Sequence, residues 1–143
     1  MSEQQRSSSV GRSILAVFAG FVTIVILSEG TDFLLMKAGV FPPLDQPFTN
    51  QLLMLATFYR IVYSIAGCYL AARLAPNRPS GHALVLGGIG CVVGIAGAIV
   101  MRGKGPEWYP WTLVVLALPC GWLGGALHHN FKHTARGIGT TKS

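Results

Sequence analysis

The sequence predicts an all-α fold, a bundle of four transmembrane helices with both termini on the cytoplasmic side. Three observations carry that expectation. Of the 143 residues, 51% are hydrophobic and 11% are charged, against about 25% charged in an ordinary soluble domain. The apolar residues gather into four runs, each near the ~20 residues a helix needs to cross a ~30 Å hydrocarbon core. Lys and Arg fall unevenly on the two sides that those runs define.

The elements follow in order. Residues 1–12 are polar and low in complexity, with Gln4, Gln5 and the serines 7–9, and read as a disordered cytoplasmic tail. A first span is expected over 14–36. Its start resembles a signal peptide, with Ser28 and Gly30 imitating a cleavage site, but apolar residues resume at Phe33 and continue to Met36. A proline-rich loop follows, holding Phe41, Pro42, Pro43, Pro47 and Phe48. A second span covers 52–74, a short turn leads to a third over 83–101, and a connection with Trp108, Tyr109, Pro110 and Trp111 leads to a fourth over 112–130. The aromatic residues of the two longer connections suit an interfacial belt. The membrane domain is thus 13–131, and 132–143 form a basic cytoplasmic tail. Runs this long and apolar lack the alternation of barrel strands, so helices are the expected solution. Pro119 removes a backbone donor and is expected to kink the fourth span.

Orientation comes from the basic residues. Arg6, Arg12, Arg73, Arg78, Lys132, Arg136 and Lys142 lie on one side, and Lys37, Arg102 and Lys104 on the other. The positive-inside bias places the richer side, with both termini, in the cytoplasm. The net charge of +6 is then a topology signal and a contact with anionic headgroups. It does not point to nucleic acid.

The span lengths force charge into the membrane. Only twelve residues separate Arg60 from Arg73, about 18 Å of helix, too little to cross the core. The second span must continue outward through Arg60. The first has sixteen uncharged residues from Ser13 to Ser28, about 24 Å, so it must continue through Glu29 and Asp32. Consecutive antiparallel spans bring the three to similar depth. An isolated ion there costs several kcal/mol, so pairing is expected, and the planar guanidinium fork suits two carboxylates. One reading is structural, an ion pair locking the first two spans together. A second is functional: two carboxylates share one guanidinium, and the under-compensated one, for which the deeper Glu29 is favoured, could carry a proton or a cation; in a third the cluster faces a partner subunit or Glu29 opens to water.

Small residues recur at helical spacing. On the second span these are Ser64, Gly67 and Ala71, in line with Arg60; on the third Gly87, Gly90, Gly94 and Gly97; on the fourth Ala117, Gly121 and Gly125; on the first Ala16 and Gly20. In lipid, helices associate through close backbone packing, which small residues permit. Cys68, Cys91 and Cys120 all fall within apolar runs, are odd in number, and read as small packing residues without disulfides. His82, His128, His129 and His133 cluster toward the cytoplasmic side. His129 and His133 share a helical spacing that suits zinc, but no carboxylate or cysteine lies nearby in sequence to complete a site, so no metal or other cofactor is expected. The sequence holds no P-loop, dinucleotide fingerprint, His-Glu-x-x-His or Gly-x-Ser-x-Gly motif.

The stretches GTDFLL, YRIVYSIAGCYLAARLAP and WYPWTLVVLALPCGWLGG resemble those of small uncharacterised four-span integral membrane proteins of bacteria. The resemblance runs from about Ser13 to His128. It implies the same bundle and a bacterial inner membrane, and it implies no activity. The expected function is therefore that of a non-catalytic accessory or structural subunit of a membrane assembly. The alternative is a small proton- or cation-coupled transporter using Glu29 and Asp32. The expected partners are the lipid bilayer and either further copies of the chain or a larger membrane complex.

Overall fold

The computed structural model describes residues 3–43, 45–100, 102–103 and 105–139. Met101, Lys104, Lys142, the Arg6 side chain, and the tail residues 1–2 and 140–143 lie outside the described residues. Among the described residues the chain is all-helical: α1 (Glu3–Lys37), α2 (Asn50–Leu74), α3 (Pro79–Val100) and α4 (Trp108–Gly139). All four are long and apolar enough to cross a membrane, the architecture of a multi-pass membrane protein.

Each predicted span lies within one of these helices, apart from Met101, but α1 and α4 run further. The stretch expected to be a disordered tail is helical from Glu3. Extending a helix that already exists avoids the cost of nucleation, and the Ser13 hydroxyl donates to the Ser9 carbonyl at 2.8 Å. Glu3 also sits where the helix dipole favours an acid. α4 starts at Trp108, so the aromatic residues expected in a connection form its first turn. Pro110 is tolerated there because the first amides of a helix have no partner in any case. Farther on, α4 continues through Pro119 as one helix.

Helix ends follow from local chemistry. After α1, Gly39 adopts φ +74 and closes a Schellman motif. The Val40 amide donates to the Leu35 carbonyl at 2.9 Å and the Gly39 amide to Met36 at 3.1 Å. α2 ends at Leu74 and is capped by Ala75, which is extended (ψ 129), the conformation favoured before proline. Pro79 then opens α3, where its fixed φ suits the first turn.

Neighbours in sequence pack antiparallel, so the start of α1, the end of α4 and the 75–78 turn share one end, called here the terminal end. The connections 38–49 and 101–107 share the other, the loop end. α2 touches all three other helices, and α3 packs along α4. The backbones of α1 and α4 do not come close among the described residues, and only side chains such as Tyr109 reach toward α1. Two cores result. Near the terminal end, Cys68, Ala71, Ala72, Ala83 and Leu86 are buried, with Val17, Phe21 and Ile24 packed on them. At the loop end, Phe41, Ala56 and Tyr59 are buried beneath Phe48, Leu52 and Tyr109. Phe41, expected in an interfacial belt, is instead inside: the Schellman turn folds the loop back, and its ring meets Phe48 edge-on at 5.4 Å.

Glycines bring the helices together, most of all toward the terminal end. A Cβ on Gly20 would stand 2.7 Å from the Gly67 carbonyl oxygen, and one on Gly67 would stand 2.8 Å from that of Gly20. The same holds for Gly87 against the Ala117 carbonyl (2.9 Å) and Gly121 against that of Ala83 (2.9 Å). Gly125 lies against Ser80 (3.1 Å), and Gly94 against the Val114 side chain (2.8 Å). Gly90 is in ordinary contact at 3.4 Å from the Ala117 Cβ. Gly97 departs from the expectation that it packs, since a Cβ there meets nothing within 4 Å. Gly124, outside the series expected for α4, is tight: a Cβ would lie 2.8 Å from the Tyr69 backbone nitrogen. α4 therefore carries two small-residue faces, one for α3 and one for α2.

Candidate functional site

The charged residues that span length alone forces into the membrane come together between α1 and α2. Arg60 Nη2 lies 2.5 Å from Asp32 Oδ2. The Tyr59 hydroxyl donates to the other Asp32 oxygen, so both oxygens of this carboxylate are taken by donors from α2. Glu29 stands apart: its Oε1 is 3.9 Å from the same Arg60 nitrogen, and its side chain is 69% exposed against 23% for Asp32 and 28% for Arg60. One helical turn governs this arrangement. Glu29 and Asp32 are neighbours on the α1 surface, but only Asp32 comes within bonding reach of the guanidinium.

A second polar contact extends the seam. The Thr31 hydroxyl donates within its own helix to the Leu27 carbonyl at 2.8 Å. This leaves it to accept from the Tyr63 hydroxyl at 2.9 Å. Tyr59 and Tyr63 are four residues apart on α2 and reach Asp32 and Thr31, which are adjacent on α1. The sequence reading missed both tyrosines and Thr31. The signal was present in polar residues at the depth assigned to Arg60 and Asp32, within the two motifs GTDFLL and YRIVYS.

Beside the seam lies a cavity of about 570 Å³, to which all four helices contribute. Its floor near mid-bundle is apolar, with Phe21, Ile24 and Leu86. Its walls toward the loop end include Glu29, Asp32 and Arg60, and its rim includes Arg102 and Glu107. Gly97, free of contact, faces open space in this half and lines the same cavity. Tyr109 lines it from the first turn of α4, and the neighbouring Trp108 donates its indole N–H to Asn50 at 3.2 Å, joining α4 to the start of α2.

The cysteines are free. Cys68 and Cys120 are buried, and the Cys91 thiol donates to the Val114 carbonyl at 3.3 Å. The histidines lie toward the terminal end. His129 and His133 face each other with ring centroids 4.5 Å apart, and His128 stands against Tyr69 at 5.9 Å. Among the described residues no three His, Cys, Asp or Glu side chains converge as a metal would need.

Chemically, the arrangement can do two things: clasp α1 to α2 through Asp32, and offer one largely unbonded carboxylate, Glu29, at the wall of a mostly apolar cavity. Compared with known protein families, curated proteins and solved structures, the chain matches none.

Proposed function

We propose that the protein is a non-catalytic accessory or structural subunit of an assembly in a bacterial inner membrane, with both termini in the cytoplasm. The observation that carries this reading is the closed state of Asp32. Both its oxygens are bonded by α2 side chains, which makes the charged group a fixed clasp between helices. Such a clasp gives a small bundle a defined shape, which a subunit needs in order to be recognised. The orientation is supported by Arg12, Arg73, Arg78, Lys132 and Arg136 at the terminal end, against Lys37 and Arg102 at the loop end. Purification of the intact chain in mild detergent tests the reading. A stoichiometric partner protein is the expected result; a chain that purifies alone would overturn it. Cysteine introduced at Asp45 should be labelled from outside the cell by an impermeant reagent, and cysteine at Asn77 should not.

The second reading is a proton- or cation-coupled transporter. It is favoured by one observation, the exposed Glu29 carboxylate at the cavity wall. A homodimer isolated without partners, with vesicle ion flux lost in Glu29→Gln, is the result that reading requires.

A further inference from the structure

The loop-end cavity is open where the terminal half is shut. α1 and α3 meet near the terminal end, where Gly20 lies close to Leu86. Farther along, the same two helices line the cavity through Val25, Ser28, Gly90 and Val93. No close approach of the α4 backbone to α1 shuts it among the described residues. Its volume of about 570 Å³ falls within the ~300–1,000 Å³ typical of small-molecule sites, which pair apolar walls with a few placed polar groups.

The charges at the wall select among occupants. Glu29, Asp32 and Arg60 sum to one net negative charge, and Arg102 and Glu107 at the rim cancel. Arg60 is already engaged by Asp32 at 2.5 Å; its Nε has no hydrogen-bond partner among the described residues, but an anionic head reaching it would also face Glu29, the less engaged of the two carboxylates. A neutral head would leave Glu29 with only the shared guanidinium at 3.9 Å. A protonated amine supplies the missing charge and donates to the carboxylate, the strong class of hydrogen bond. The low polarity of the surroundings raises the value of that pairing.

We propose that the loop-end cavity binds a membrane-dissolved amine, with its apolar body among Phe21, Ile24 and Leu86 and its ammonium head on Glu29. This goes beyond the subunit reading and holds whether the protein acts alone or in an assembly.

Trp111 lines the cavity, which gives a direct readout. The full chain carrying Trp108→Phe and Trp122→Phe, in nanodiscs of uncharged lipid, leaves Trp111 as the only tryptophan. The probe is a nitroxide-bearing alkylamine, with the alkyl sulfate of the same chain and nitroxide as control. The amine should quench Trp111 saturably, and the sulfate only in proportion to its partitioning. Glu29→Gln removes the charge at an exposed position and should weaken the amine's half-saturation by roughly tenfold or more. Gly97→Leu, which puts bulk where a Cβ meets nothing, should abolish saturation while Glu29 is intact. Saturable quenching by the sulfate at the same concentration overturns the proposal. So does an unchanged half-saturation in Glu29→Gln, or quenching by the amine that never saturates.

Discussion

In the terminal half of the bundle the helices touch backbone to backbone, through Gly20 and Gly67, Gly87 and Gly121, and Gly124 against Cys68 and Tyr69. In the loop half α3 and α4 still meet closely, Gly94 against Val114, but large side chains, among them Phe41, Tyr59 and Tyr109, fill in around α1 and α2, which Arg60, Asp32 and Thr31 join through polar bonds. Both halves are apolar on average, so hydrophobicity does not separate them. In lipid it supplies little drive for helices to associate, and contact depends on close packing or on polar bonds. Small-residue contact prevails in the terminal half, and polar bonding between α1 and α2 sets the loop half apart. Dispersion between small residues leaves no space, whereas polar bonds reach across a distance and leave a cavity beside them.

The largest effect should come from breaking the polar device. Arg60→Ala strands the Asp32 carboxylate with Tyr59 alone, and removing one partner of a buried pair costs about 3–5 kcal/mol. Arg60 is 28% exposed, so the lower end of that range is expected. Thermal unfolding in detergent should show the loss. Adding Asp32→Asn to Arg60→Ala should recover part of it, because the stranded charge disappears. Losses in the double variant that equal the sum of the singles would show that the two residues do not interact.

Next in size is a methyl group placed in the glycine device. A Cβ on Gly124 would meet the Cys68 Cβ at 2.5 Å and the Tyr69 backbone nitrogen at 2.8 Å. Backbone cannot rotate aside as a side chain can, so α2 and α4 must separate. Overpacking of this kind costs about 1–3 kcal/mol, more than the ~1 kcal/mol that alanine gains over glycine in helix propensity. Gly124→Ala should therefore lower the unfolding temperature. Unfolding unchanged from the parent would mean the terminal half is looser than its backbone contacts require.

How far these devices were legible in the sequence differs between the halves. The charged trio was legible because a length argument forces it: Arg60 lies too close to Arg73, and Glu29 too close to Arg12, for any crossing that leaves them outside. That argument fixes depth and not rotation about the helix axis. Depth alone favours Asp32 over the deeper Glu29 as the partner of Arg60, but it could not show that Tyr59, adjacent to Arg60, reaches the same carboxylate. The glycine faces were legible through their spacing, but spacing does not say which neighbour a face meets. Gly97 continues the Gly87, Gly90 and Gly94 series and yet touches nothing, because α4 opposes α3 with Val114 and Ala117 and leaves space beyond them. Gly124 lies off the Ala117, Gly121 and Gly125 series and is tight, because α4 has a second neighbour that a single-face pattern does not anticipate. The helical course of residues 3–12 was hidden for a different reason: composition reports solubility, and a helix already begun can be extended by polar residues.

The smallest effect sharpens the comparison most, because it repeats the glycine substitution in the other half. Gly97→Ala adds the same methyl group as Gly124→Ala, likewise inside a helix, and its Cβ meets nothing within 4 Å. No packing penalty offsets the gain in helix propensity, at most about 1 kcal/mol. The variant should unfold at the parent temperature or slightly above it, measured in the same detergent as Gly124→Ala. The opposite signs at two glycines of neighbouring helices would locate the boundary between the closed and open halves. A loss at Gly97 as large as that at Gly124 would mean that α3 and its neighbours close on each other in the membrane, and that the cavity is not a standing feature of the fold.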